Sequence, residues 1–142
     1  MTIEIRVHQK FSKRVLRRRL VDAVSKTLRQ NVGDVSVTIY ITTDSEIRLL
    51  NRKFHATNAP TDVLSFPTGI DGYIGDVVIS YDRARVQAHQ AHWRIADELD
   101  LLAVHGVLHL IGYDDLTPHQ RAKMWQRQTE ILGHINEIPD KE

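Results

Sequence analysis

The chain has 142 residues, 42% apolar and 26% charged, the balance of one folded domain with a sizeable core and not of a disordered segment or a fibre. It has no cysteine, which excludes disulfide scaffolds, Cys-ligated zinc, iron–sulfur clusters and thiol nucleophiles. The net charge of +1 conceals an asymmetry: residues 1–30 carry nine Lys/Arg against Glu4 and Asp22, and the remainder of the chain is net acidic, which suggests a localised anionic partner.

Thr2–Val7 alternates, with Ile3, Ile5 and Val7 on one face, and predicts a first strand. Arg6, His8 and Lys10 interrupt any apolar leader, so no signal peptide is expected and the cytoplasm is the expected location. Residues 12–30 read as a helix capped by Ser12. Leu16, Leu20, Ala23, Val24, Thr27 and Leu28 form its apolar stripe, with Arg14, Arg18 and Arg29 opposite. Gly33 should help to stop it. Val35, Val37, Ile39 and Ile41 alternate as a second strand. Asp44 should cap a short helix that turns Ile47, Leu50 and Phe54 inward, followed by a loop over residues 56–60.

Residues 63–66 predict a short strand closed by Pro67, which demands an edge or a strand end. A turn over 69–72 leads to a strand over 75–80, apolar on both sides and hence central. Helices follow over 82–91 and 93–111. The second is the longest and most apolar, and should be the buried spine. Its apolar run, residues 101–111, is short of the ~20 residues that cross a bilayer and carries two histidines. Gly112 ends it, and Thr117-Pro118 starts a last helix reaching about residue 132 before a polar tail. The pattern is α+β: one domain over residues 1–142, a mixed sheet of about four strands, about five surrounding helices, and a long central helix.

The chemistry concentrates at the end of that helix. His105 and His109 are four apart, so their side chains lie one turn above the other on one face. Gly112 can adopt a left-handed conformation and bring Asp114 or Asp115 back beneath them. Two imidazoles, one carboxylate and a position left over make a catalytic rather than a structural metal site. Metalloproteases with H-E-x-x-H share the spacing but need a glutamate general base beside the first histidine. That position here is Gly106, which argues against peptide hydrolysis.

The run His105-Gly106-Val107-Leu108-His109-Leu110-Ile111-Gly112-Tyr113-Asp114 resembles the signature of the YbeY family, bacterial rRNA maturation factors and metal-dependent endoribonucleases. Leu50-Asn51-Arg52-Lys53-Phe54, Pro60-Thr61-Asp62-Val63-Leu64-Ser65-Phe66-Pro67 and Gly75-Asp76-Val77-Val78-Ile79-Ser80 match the family in the same order, so that the resemblance spans residues 45–115. It implies an α+β fold and one Zn2+ held by three side chains. It also implies endonucleolytic action on single-strand-type RNA in rRNA maturation and small-subunit quality control. The implied partners are ribosomal RNA, the small ribosomal subunit, ribosomal proteins and the GTPase Era, with no membrane.

By that resemblance His105 and His109 are metal ligands, and His105 belongs to the catalytic centre. The family's third ligand is usually histidine, and here the position is Asp115. A carboxylate makes the site harder, so Mn2+ or another divalent ion competes better. His119 is the rival third ligand, off the expected spacing. Where the family usually has an arginine after Asn51-x-x-Phe54, this chain has His55. An imidazole can donate a proton but cannot fork onto a phosphate, a role left to neighbouring Arg52 or Lys53.

Six Lys/Arg in residues 10–19 make Arg14 and Arg18 candidates for the phosphate backbone of RNA, against an ordinary solvated face. Ser65 is expected to face substrate from the cleft wall formed by residues 51–55 and 65–67. Phe66 could stack on a base, though core packing is the simpler reading. Asp76 and Asp114 are candidates for orienting a ligand imidazole. Trp93 and Trp125 read as core. Two other readings stand beside the nuclease: a non-catalytic assembly factor with a structural metal, and a metal-dependent hydrolase of another substrate.

Overall fold

The computed structural model describes residues 1–29, 34–55 and 61–133, with the side chain of His55 left aside. The expected stop at Gly33, the loop over 56–60 and the tail beyond 133 lie outside these residues. The elements in chain order are β1 (Thr2–Val7), a 3-10 turn (Gln9–Phe11), α1 (Arg17–Leu28), β2 (Ser36–Thr42), α2 (Asp44–His55), β3 (Val63–Ile70), β4 (Tyr73–Ser80), α3 (Tyr81–Ala91), α4 (Ile95–Leu110) and α5 (Pro118–Leu132).

The sheet order is β1-β2-β4-β3. β1, β2 and β4 run parallel, and β3 pairs antiparallel with β4. The α+β class and the four-stranded mixed sheet expected from the sequence are therefore present, with β4 central. Val37, Ile39 and Ile41 of β2 and Val77 and Ile79 of β4 are at most 1% exposed. They pack against Leu20, Val24 and Leu28 of α1 and Leu99, Leu102, Ala103 and Val107 of α4. Each such side chain contributes about 1.5–3 kcal/mol when fully buried. A second cluster joins Ala23 of α1 and Val104 and Leu108 of α4 to Met124 and Ile131 of α5. α4 touches both clusters, so it is the buried spine that its composition predicts. No helix among the described residues is long and apolar enough to cross a membrane.

Several boundaries differ from expectation. α1 begins at Arg17, with Leu16 in the N-cap position, and Ser12 instead closes the 3-10 turn. Phe11 causes the change. It is 2% exposed and stacks on Tyr81 with ring centroids 4.2 Å apart, while Val15 is also buried. Anchoring both side chains diverts residues 12–16 from a helical path, so Leu16 is exposed and Arg14 precedes the helix. α2 buries Ile47 but leaves Phe54 58% exposed, against the inward orientation expected of it.

β3 does not stop at Pro67 but continues to Ile70. It is the edge strand, where a missing N–H is tolerated, and an irregularity between Pro67 and Ile70 absorbs the misfit. α4 begins at Ile95, because His92 takes a left-handed conformation and ends α3. Trp93 sits in the connection, half-buried, and its Nε1 donates to buried Glu98 at 3.1 Å. Trp125 is likewise only half-buried on α5.

Candidate metal centre and its cleft

α4 lies unusually close to the sheet because Gly106 has no side chain. A Cβ there would stand 2.4 Å from Cγ1 of Val77 on β4. Ser65 of β3 fills the adjoining space and donates its hydroxyl to the Gly106 carbonyl at 2.9 Å. The helix is thereby seated with His105 and His109 facing a cleft beside the sheet edge.

Beyond α4 the chain reverses at Gly112, whose φ is 109°. The Tyr113 N–H donates to the Leu108 carbonyl at 2.9 Å, and Nη1 of Arg121 donates to the Asp115 carbonyl at 3.3 Å. Thr117 caps α5 by accepting from the Gln120 N–H, with Pro118 in the first turn as expected. The reversal brings Asp115, and not Asp114, to the histidines. Oδ2 of Asp115 lies 3.5 Å from Nε2 of His109 and 3.8 Å from Nε2 of His105. The two Nε2 atoms are 3.1 Å apart.

The hydrogen bonds on the far side of each ring test whether this arrangement suits a cation. Nδ1 of His109 is 3.0 Å from the Tyr113 carbonyl, which can only accept, so Nδ1 carries the proton. Nδ1 of His105 is 2.8 Å from Oε1 of Gln128, a buried side chain on α5. In both neutral rings Nε2 then presents a lone pair. Two lone pairs and a carboxylate oxygen converge with no proton to share. Donor atoms about a tetrahedral zinc, at ~2.0–2.1 Å from it, lie roughly 3.3 Å from one another. The three residues fit a divalent ion. Burial, opposed by the Gln128 hydrogen bond, pushes the His105 pKa below its ordinary value and so favours the neutral, ligating form.

The three side chains are each partly exposed to a cleft of about 460 Å³. Its other walls include Thr61, Asp62, Ser65 and Pro67. Asp62 accepts from Nε2 of Gln87 at 3.2 Å and acts electrostatically on His105. Ser65 lines the cleft as expected, but its hydroxyl is committed to Gly106 as a donor and is left only as an acceptor towards substrate. Arg52 is exposed on α2 and is not among the residues lining this cleft. His55 ends α2, and its side chain lies outside the described residues.

Other candidates are placed elsewhere. His119 borders a different cavity with Asp114 and Lys123, so Asp115 and not His119 completes the convergent group. Asp76 accepts from the Tyr73 hydroxyl and does not orient a ligand imidazole. Gln128 and the Tyr113 carbonyl do that work. Neither carries a sequence signal: Gln128 is one polar residue on an amphipathic helix, and a carbonyl has no identity. Arg14 and Arg18 are exposed, whereas Arg19 is engaged by Asp97 and Asp100 at 2.8 and 2.7 Å.

A mixed sheet, a helix carrying two imidazoles and a returned carboxylate over an open cleft define an α+β protein with a three-residue group that could hold a metal ion. A family profile described as Endoribonuclease YbeY matches residues 2–136, and the chain belongs to that family. It is 40% identical to the Endoribonuclease YbeY of Roseiflexus castenholzii over 126 residues, covering 80% of this chain and 79% of that one. It is 42% identical to that of Aquifex aeolicus over 115 residues, covering 77% of each. The solution structure of TM1509 from Thermotoga maritima superimposes with a TM-score of 0.69 at 27% identity, covering 94% of this chain and 89% of that one.

Proposed function

We propose that the protein is a metal-dependent endoribonuclease that cuts single-strand-type RNA in ribosomal RNA maturation and small-subunit quality control. The observation that carries the metal reading is the meeting of His105 Nε2, His109 Nε2 and Asp115 Oδ2 at the wall of an open cleft. Family membership carries the RNA reading. In this reading the whole chain, residues 1–142, works as one domain in the cytoplasm. Ribosomal RNA and the small subunit are its partners, with ribosomal proteins and the GTPase Era as further ones.

His105, His109 and Asp115 would hold the ion. Zn2+ suits two imidazoles, while the carboxylate raises the standing of Mn2+. When bound, the ion supplies Lewis acidity to a phosphoryl oxygen and eases deprotonation of water. The protein does the rest. Gln128 and the Tyr113 carbonyl fix both rings with Nε2 outward, and Ser65 holds the helix against the sheet. Asp62, the carboxylate of the described wall that is not a ligand, accepts the proton of the attacking water. His55 takes the place of the family's arginine and donates a proton to the leaving oxygen. Arg52, Arg14 and Arg18 contact phosphates outside the cleft, fixing the strand without reading its bases.

The test pairs metal analysis with cleavage of structured ribosomal RNA by wild type, His105→Ala, His109→Ala and Asp115→Ala. Stoichiometric metal in wild type, loss of metal in the variants and loss of cleavage with it are expected. Full cleavage by highly purified metal-free variants would remove this centre from the reaction.

A further inference from the structure

Phe54 is a large aromatic side chain at the end of α2 that the fold leaves 58% exposed. Exposed rings singly are common, but this one has company. Its ring meets that of Phe66 edge-on, with centroids 5.6 Å apart, and Nζ of Lys53 sits 5.5 Å from its centroid. Arg48, Arg52 and Lys53 lie on the same helix, and none of them is in an ion pair among the described residues. After Glu46 the helix carries no acid. The end of α2 thus presents an exposed ring with the Lys53 ammonium over it, and Arg48 and Arg52 are exposed on other sides of the same helix.

Its position relates it to the metal cleft. Ser65 and Pro67 line that cleft, and Phe66 between them faces the opposite side of β3, as the alternation of a strand requires. β3 is the edge of the sheet. A strand leaving the cleft over this edge therefore arrives at Phe54. Single-stranded nucleic acids are held by this pairing, with cations along the backbone and rings beneath the bases.

We propose that Phe54, braced by Phe66 and flanked by Lys53, is a stacking subsite for one unpaired nucleobase of the RNA strand whose backbone lies in the metal cleft. The inference rests on the RNA-cleaving function proposed above and adds a substrate contact to it. Stacking accepts any base, so the subsite selects an unpaired nucleotide at a fixed distance from the cut and not a sequence.

The experiment measures binding of a short unstructured RNA by fluorescence anisotropy, with metal chelated so that the strand stays intact. Wild type, Phe54→Ala and Phe54→Trp are compared, and one abasic nucleotide is moved along the RNA. Phe54→Ala should weaken binding roughly tenfold to hundredfold, and Phe54→Trp should restore it. An abasic nucleotide at one position should weaken wild-type binding and leave Phe54→Ala indifferent. Unchanged melting temperature of Phe54→Ala, expected for an exposed side chain, separates this from misfolding. Equal RNA affinity of wild type and Phe54→Ala, with RNA cleavage by wild type intact, overturns the subsite alone and leaves the patch to a protein surface. Wild type that neither binds nor cuts RNA overturns the subsite and the function together.

Discussion

Gly106 and Val77 touch with no room for a methyl group between them: a Cβ on the first would stand 2.4 Å from Cγ1 and 3.0 Å from Cγ2 of the second. This close approach lets α4 lie against β4 with both imidazoles at the cleft. It also gives a steric reason why the glutamate of the H-E-x-x-H pattern cannot occupy this position.

Gly106→Ala should therefore destabilise the protein, although alanine is the better helix former by about 1 kcal/mol. Overpacking a tight core costs about 1–3 kcal/mol, and valine cannot swing aside as a long side chain can. The net loss should appear as a lower urea midpoint. Adding Val77→Ala should recover part of it, and a double variant no better than Gly106→Ala would remove Val77 as the cause.

Gln128 is the buried partner of His105 Nδ1, at 2.8 Å. Partners of this kind are worth about 10–100-fold in metal affinity. Gln128→Leu should lose about that much in a calorimetric metal titration. Gln128→Glu, with a stronger acceptor, should bind at least as tightly as wild type. Equal affinity of the leucine variant would show that the ring is oriented by other neighbours.

Acid stability has a separate source. The Tyr40 hydroxyl, with Thr42 assisting and burial opposing, holds the Glu46 carboxyl below its ordinary range. A carboxylate with a folded pKa below its unfolded pKa stabilises the fold above the unfolded value of about 4.3. That stability disappears as pH falls through the folded value. Glu46→Gln should lower the melting temperature at neutral pH and flatten its decline below about pH 4.5. Parallel curves for the two proteins would exclude Glu46 as a contributor.

Arg14 and Arg18 are exposed and take no part in the ion pairs of the described residues, unlike Arg19. Reversing both to Glu should weaken RNA binding and reduce the slope of log affinity against log salt by roughly 0.7 for each phosphate no longer neutralised. Melting temperature should barely change. An unaltered slope would return this stretch to an ordinary solvated surface.

The convergence of His105, His109 and Asp115 is legible in the sequence because the three residues are local. His105 and His109 share a helix face by periodicity, and Gly112 announces the reversal that returns Asp115. The strands are legible where alternation is strict, as in β1 and β2. Sequence and structure part where a distant packing partner outweighs a local pattern. Stacking of Phe11 on Tyr81 overrides the helical stripe that begins at Leu16. The edge position of β3 lets a strand run through Pro67.

By itself the sequence determined the histidine pair on a helical spine, the hinge that folds the acid beneath it, and the α+β order of elements. Those follow from spacing and backbone preference within a few residues. Only the tertiary structure decided that Gln128 aims His105 and that Phe54 stays in water. Each depends on how packed elements far apart in the chain approach one another, and no local periodicity encodes that approach.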